Sequence, residues 1–504
     1  MEKKDSDNAV LSLQTSCNDG EIIKVTDVKL GEADVALGFI EQHEGFTYTP
    51  DQEKAVLRKI DFWLMPLYMD KSVMAQSAIY DLEIDLHLVG QDYSWCSSIF
   101  YFGYLVAQPP AAYFMGRFPI GKFVAFTSLF WAVVLFATAG CTNFGGLATA
   151  RFFLGVAEAG ISPAYVLITG SWYTQSEIPM RIGIWFCGNG IAIIIQALLS
   201  YGIGHISYTA IAIWQWFFII FGVIGLFWSV ALFLWMPDSI LTAKFLTEEE
   251  RVIALERIRR NRTGIANPKF KMDQFVEALT DLKVWWAFIY TVVWMIPTST
   301  VASFGSIVIK SFGFSSFESS LLNMPLGATE IIGLLGAGYV SEHYPNMRCI
   351  MQVVCNVPAL VGAVLINSLP ASNHAGRLVS FHITNFTIGC LTMLWAMTNS
   401  NIAGHTKRTT ANAIQFIGYS AGFIIGPQFF ISKEAPGYKT GFLAMLIFFA
   451  LATVLPVFYW FYITWENKRR VAKLAASGEG QIFIKNEEFL DLTDKQQAHF
   501  VYIK

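Results

Sequence analysis

Charge is scarce in this chain. Only 14% of its 504 residues are Asp, Glu, Lys or Arg, while 54% are hydrophobic. Soluble domains carry about 25% charged residues, and a soluble chain this long would divide into several domains with more surface to keep wet. A soluble enzyme is excluded on that ground. The net charge is −3, so nothing points to a nucleic-acid partner. Metal-ligand spacing is missing too. Cys17, Cys96, Cys141, Cys187, Cys349, Cys355 and Cys390 are scattered and read as reduced packing residues. No Ser-His-Asp or Cys-His set falls on a common face, so neither catalysis nor a cofactor is expected. The opening MEKKDSDNAV holds no apolar core. No cleavable signal peptide is expected, and the first membrane span would itself serve for insertion.

What is present is apolar length. Runs of about 20 apolar residues are transmembrane helices, and a dozen of them would use about half the chain. The spacing predicts spans near 60–80, 95–115, 122–141, 146–170, 182–204 and 213–236, then 284–308, 318–340, 350–369, 378–402, 410–432 and 441–463. The predicted organisation is a flexible tail over 1–55, a six-helix bundle over 56–236, a central loop over 237–283, a second bundle over 284–465 and a tail over 466–504. The loop contains LTEEERVIALERIRRNRTG, where Thr247 and Glu250 have capping-box spacing.

Basic loops lie on the cytoplasmic side. One set of alternating loops holds Arg58, Lys59, Arg117, Lys122, Arg181, the central-loop cluster, Arg348, Lys407, Arg408 and the C-terminal cluster. The other set holds Lys310, Arg377, Lys433 and Lys439. Both termini are therefore expected in the cytoplasm. The sequon at Asn261 is then cytosolic and unglycosylated.

Most predicted spans hold no charge. The exceptions are Asp70, Lys71, Arg151, Glu158 and Glu330; His382 is the embedded histidine. A charge at the bilayer centre costs at least about 2.5–3.5 kcal/mol, so such residues face a protein interior or a water-filled cavity. Arg151 and Glu158 are seven residues apart, two turns along one helix face and about 10.5 Å on the axis. Asp70 could pair with Arg151, and Lys71 with Glu158 or an anion. A carboxylate that loses its partner takes a proton more readily, and the basic residue so freed can hold an anionic substrate. The alternative is an inert ion cluster that fixes packing. Glu330 could instead bond helix to helix, and a satisfied interior histidine is the favoured reading of His382. Asn385, one turn from His382, and Asn189 and Gln196 on span 5 are possible cavity residues. Gly183, Gly188, Gly190, Gly202 and Gly204 on span 5 indicate close helix approach. The 15 Trp and 42 Phe read as lipid-facing bulk, with no stacking site.

Several stretches carry a likeness. They are TYTPDQEKAVLRKIDFWLMPLYMDKS (47–72), DLHLVGQDYSWCSSIFYFGYL (85–105), RFPIGK (117–122), RFFLGVAEAGISPAYVLITGSWYTQSEIPMR (151–181), FLTEEERVIALERIR (245–259) and GHTKRTTANAIQFIGYSAGFIIGPQFF (404–430). The chain resembles the major facilitator superfamily, and within it the fungal allantoate permease-like branch of the anion:cation symporters. The resemblance implies an all-α membrane protein of twelve transmembrane helices in two pseudo-symmetric six-helix bundles. A midplane site would lie between them, with alternating access by rocking. It implies proton-coupled symport of a small organic anion, with Asp70 and Glu158 coupling protons and Lys71 and Arg151 binding substrate. Arg117 to Lys122 resembles the branch's gating loop, and Arg181 joins Arg117 and Lys122 as cytosolic gating residues. Gln108 stands where relatives often have a glutamate before a proline, which implies one titratable group fewer. A Gly-Pro signature in span 5, carried by drug antiporters, is absent, which favours symport.

The reading is thus a plasma-membrane symporter of a small carboxylate such as allantoate, ureidosuccinate or nicotinate. It would act as a monomer with protons and the lipid bilayer as its other partners. The second half has no embedded cation, so a monoanion or zwitterion fits more easily than a dianion. The rivals are an exporter of a secondary metabolite on the same fold, and a nutrient receptor that binds without transporting. A neighbouring biosynthetic gene set favours the exporter; carrier-like flux excludes the receptor.

Overall fold

The computed structural model describes residues 48–65, 82–174, 176–205, 211–259, 270–477, 491–497 and 500–504. Those residues form helices and no strand. The first half contains α1 (Pro50–Leu64), α2 (Leu82–Asp85), α3 (Asp92–Met115), α4 (Ile120–Ala139), α5 (Phe144–Glu158), α6 (Ile161–Trp172), α7 (Ile178–Gly204) and α8 (Ile213–Trp235). Two helices, α9 (Glu248–Arg259) and α10 (Met272–Leu279), occupy the central loop. The second half contains α11 (Leu282–Ser311), α12 (Ser316–Leu321), α13 (Met324–His343), α14 (Arg348–Ser368), α15 (His374–Thr384), α16 (Gly389–Asn401), α17 (His405–Ile425) and α18 (Lys439–Ser477).

Among the described residues, nine segments are long and apolar enough to cross a bilayer. The remaining three expected spans differ for physical reasons. The first enters residues 66–81, outside the described set. The second and eleventh are the continuous helices α3 and α17, of 24 and 21 residues. They are diluted by buried polar residues such as Ser94, Ser97, Ser98 and Gln108 in α3, and Asn412, Gln415 and Ser420 in α17. Such residues need protein neighbours rather than lipid. The last expected span also runs on beyond 463, since α18 continues to Ser477.

The packing repeats with a six-helix shift. In the first half α4 packs on α8 and α3 on α5; in the second, α14 packs on α18 and α13 on α16. The two halves meet along two seams, α7 with α13 and α3 with α17, and the shift converts one seam into the other. Glycine makes the first seam possible. A Cβ on Gly190 would lie 2.6 Å from the Gly327 carbonyl oxygen, and one on Gly327 would collide with the Gly190 carbonyl. The backbones touch, as small residues allow.

The capping box at Thr247 forms: the Thr247 N–H donates to Glu250 at 2.8 Å and the Glu250 N–H to Thr247 Oγ1 at 3.3 Å. The helix it starts, α9, is tied to the first half. Glu250 pairs with Lys59 at 2.6 Å, and buried Arg257 with Glu177 at 2.6 Å and Glu53 at 3.3 Å. Helix α10 serves the second half, where Gln274 Oε1 accepts the N–H groups of Thr406 and Lys407 that open α17. Each half of the central loop therefore docks on its own bundle.

Residues 491–497 and 500–504 lie on the same end of the second half. Asp494 sits between Lys283 and Lys407, at 3.1 and 2.5 Å. Asp281 joins the same two lysines at 3.1 and 2.7 Å, and the Tyr502 hydroxyl donates to Asp494 at 2.8 Å. Glu277, Asp281 and Asp494 stand close enough to hold a metal ion, but the Lys407 ammonium contacts all three and supplies the positive charge itself. The six described cysteines are free, and five of them are buried.

Candidate functional site

The fourth span breaks at Ala159 and Gly160, between α5 and α6. Pro163 explains the break: it has no N–H to return to the Ala159 carbonyl one turn back. Gln108 answers that carbonyl instead, its Nε2 donating at 2.8 Å from α3. An amide can donate here without a proton from solution, which an ionised carboxylate cannot. Gln108 therefore holds the helix break in shape. Gln108→Leu should strand a buried carbonyl at a cost of about 1–3 kcal/mol. Thermal denaturation of the purified protein should show a lowered midpoint, and an unchanged midpoint would contradict this role.

The break fixes Glu158, the last residue of α5. Arg151 lies two turns earlier and is 5% exposed. Its guanidinium stacks over Phe100, 5.3 Å from the ring centroid. The Nε of Arg151 is buried without a hydrogen-bond partner among the described residues. Glu158 and Tyr101 lie within electrostatic reach of Arg151. A buried cation with an unused donor is costly.

Aromatic side chains from both halves wall this centre. Tyr101 stacks on Phe423 at 4.2 Å, and Tyr104 meets Tyr419 at 6.1 Å. Trp185 stacks on Trp395 at 5.8 Å, and Tyr165 packs against Trp185 at 5.8 Å. Tyr419 is within electrostatic reach of both Glu158 and Glu330. One turn before Tyr419 on α17 lies Gln415, 1% exposed, with both amide atoms lacking partners among the described residues. The indole N–H of Trp395 is likewise buried and unbonded. Aromatic composition by itself assigns no stacking site, and the structure gathers these rings from both halves. Their signal was present as Tyr101 with Tyr104 and Phe416, Tyr419 and Phe423, at helical spacing. Composition alone could not separate these residues from lipid-facing bulk.

Of the other candidates, Asn189 and Glu330 are brought together across the seam. Asn189 Nδ2 donates to Glu330 Oε1 at 2.8 Å. Gln196 is buried in α7. His382 and Asn385 serve the break between α12 and α13, where Nε2 of His382 bonds the Leu322 carbonyl at 2.7 Å and Nδ2 of Asn385 donates to that of Leu326 at 2.8 Å. Each satisfies a backbone carbonyl, in keeping with the interior-histidine reading of His382. Asp70 and Lys71, with their expected pairing to Arg151 and Glu158, lie outside the described residues.

Both ends of the seams are bridged. At one end Arg181 binds Asp61 of α1 at 3.0 Å and Glu342 of α13 at 2.6 Å, linking the halves. Arg117 and Lys122 flank the nearby turn from α3 to α4, where Arg117 lies over the Tyr113 ring at 5.2 Å. At the other end Tyr93 donates to the Ser303 carbonyl at 2.9 Å, Ser98 to that of Ile424 at 3.1 Å, and Ser432 to that of Gly90 at 2.8 Å. The polar centre lies between these two sets of contacts.

Two helical halves related by a six-helix shift, closing on a buried polar centre, define an integral multi-pass membrane transporter. The chain belongs to the Major Facilitator Superfamily, whose family model matches residues 64–427. It is 38% identical to an uncharacterised transporter of Schizosaccharomyces pombe, over 96% of this chain and 93% of the relative. It is 32% identical to the allantoate permease of Saccharomyces cerevisiae, over 98% of this chain and 93% of that one. In fold it is similar to a proton:xylose symporter of the same superfamily, with a TM-score of 0.63 at 13% identity, over 82% of this chain and 96% of the other. The chain is a transporter, not an enzyme.

Proposed function

We propose that this transporter carries a small organic monoanion together with a proton. The observation that carries the reading is Arg151, whose buried Nε has no hydrogen-bond partner among the described residues and which shares a helix face with Glu158. In the proposed cycle Glu158 takes a proton from the acidic side. Its hold on Arg151 weakens, and the guanidinium binds the substrate carboxylate, for which its planar fork is suited. Gln415, Trp395 and Tyr419 contact the rest of the molecule. The Arg181 bridge to Glu342 then opens, substrate leaves, and the proton follows to the more alkaline side. The likeness to allantoate permease supports a carboxylate, and the described residues of the second half that face Arg151 offer no second cation, which supports a monoanion. The Arg-rich ends, with Arg181 and the central loop, face the cytoplasm in this scheme, and the carrier sits in the plasma membrane as a monomer. Asp70 and Lys71 take the coupling and substrate roles that the resemblance implies.

The test is an uptake screen of radiolabelled organic acids in cells expressing the protein, at pH 5 and pH 7.5. At least one carboxylate should accumulate against its gradient faster at pH 5. Uptake of neutral solutes alone, or no pH dependence for any carboxylate, contradicts the proposal.

A further inference from the structure

A half-open cavity of about 550 Å³ lies outside the two seams, between the end of α18 and the docked residues 491–497 and 500–504. Five cations line it, namely Lys283, Arg469, Arg470, Lys473 and Lys495, against one acid, Glu466. The two at the back are already committed. Lys283 pairs with Asp281 and Asp494, and Arg470 donates to the Asp494 carbonyl at 2.9 Å and to the Tyr502 hydroxyl at 2.6 Å. They hold the wall in place. The three at the mouth are more exposed. The side chains of Arg469 and Lys495 are 49% and 44% exposed and make only longer pairs, with Glu466 at 3.3 Å and Asp281 at 3.6 Å, and Lys473 is exposed as well. Such solvent-facing pairs contribute about 0–1 kcal/mol and yield readily to a stronger anion.

The level of the mouth is set by the helix that forms it. On α18 the large apolar residues Phe458, Phe461 and Trp465 are 66%, 60% and 56% exposed, a face suited to lipid. The cations begin one turn beyond Trp465. A membrane helix places aromatic residues at the interface and basic residues just outside it. The cavity thus opens at the depth of lipid headgroups, with an excess of positive charge and Arg forks suited to phosphate oxygens. Basic pockets of this kind, on the cytoplasmic side of membrane helices, hold phosphorylated headgroups.

We infer that this cavity binds a phosphomonoester dianion, carried by an anionic lipid or by a soluble molecule. Its placement on the cytoplasmic face rests on the proposed orientation, but its chemistry does not. The site would tie the docked residues 491–504 to the membrane surface, apart from the transport route.

Native mass spectrometry of the purified full-length protein in detergent tests this, with no transported substrate present. The probes are phosphatidylinositol 4-phosphate, phosphatidylinositol, phosphatidylcholine and soluble inositol bisphosphate. The wild type should bind the phosphomonoester lipid about tenfold or more tighter than phosphatidylinositol, since each added phosphate meets several cations. The exposed triple variant Arg469→Gln, Lys473→Gln, Lys495→Gln should lose that preference. Its denaturation midpoint, measured alongside, confirms that it folds. If the soluble bisphosphate binds as tightly as the lipid, the site is confirmed and the ligand is a free phosphate compound. If the lipid binds more tightly, the site is confirmed as a headgroup site. Equal binding of phosphatidylinositol and its 4-phosphate overturns the inference, and so does a triple variant that keeps the preference. The readout needs neither orientation nor proton coupling, so failure of the transport scheme would leave it standing.

Discussion

Arg151→Gln should reduce carboxylate transport about a hundredfold or more while the carrier remains folded. Each hydrogen bond to a charged group contributes about 1.5–3 kcal/mol. A bidentate guanidinium–carboxylate pair holds two, and each 1.4 kcal/mol is a factor of ten. Glutamine retains an N–H donor but neither the charge nor the fork. Arg151→Lys should recover only part of the loss, because lysine keeps the charge without the paired geometry. Stability should move the other way. Arg151 is buried and its Nε has no hydrogen-bond partner among the described residues, and a buried charge with an unmet donor costs free energy. The glutamine variant should therefore denature at the same temperature as the wild type or higher. Transport in reconstituted vesicles and denaturation of the same preparations would separate the two effects. A variant that transports normally, or one that fails to fold, contradicts the assignment of Arg151 to the substrate.

Asp494→Asn should have the largest effect on stability. Asp494 is fully buried between Lys283 and Lys407, and accepts from Tyr502. Removing one partner of a buried ion network leaves the opposite charges exposed to each other, at a cost of about 3–5 kcal/mol. The expected result is a lowered denaturation midpoint and release of residues 491–504, read as faster cleavage there by a protease. Unchanged cleavage would contradict the docking role. The network should also be insensitive to pH across the working range. Burial alone would raise the carboxyl pKa values of Asp281 and Asp494. The lysines beside them outweigh it and hold both below the ordinary carboxylate range. A depressed carboxyl stabilises above its unfolded value, near 4, and that contribution is lost only as pH falls through the folded value. Docking should therefore be the same at pH 5 and pH 7.5, which removes this cluster as a source of proton coupling.

How far the sequence was legible varies with the residue. Apolar length and loop charge located most spans, because lipid imposes one length and one composition on them. Helices α3 and α17, expected near 95–115 and 410–432, were located too, although they form a seam, where polar residues replace apolar ones. The Thr247 and Glu250 cap depended on local spacing and formed as read. Arg181 was legible as a gating candidate from its place in the loops, but its partners Asp61 and Glu342 come from distant helices and no local pattern pairs them. Asn189 and Glu330 were separate suspicions, and only the glycine contact at Gly190 and Gly327 explains why they meet. Gln108 looked like a lost titratable group until Pro163 was seen to leave the Ala159 carbonyl unanswered. Gln415 carried no mark at all. Its significance is that two buried amide atoms have no partner among the described residues, which is a property of packing. Asp494 lay in a stretch read as tail, and its importance depends on lysines some 90 and 210 residues away in sequence.

The central claim is that Glu158 couples protons to a substrate held by Arg151. Vesicles containing the wild type or Glu158→Gln, with pH 5 outside and pH 7.5 inside, test it most directly. The substrate is the carboxylate found by the uptake screen. The wild type should concentrate it inside. Glu158→Gln should still exchange labelled for unlabelled substrate, because Arg151 remains, but should build no gradient. Full uphill accumulation by Glu158→Gln would contradict the account.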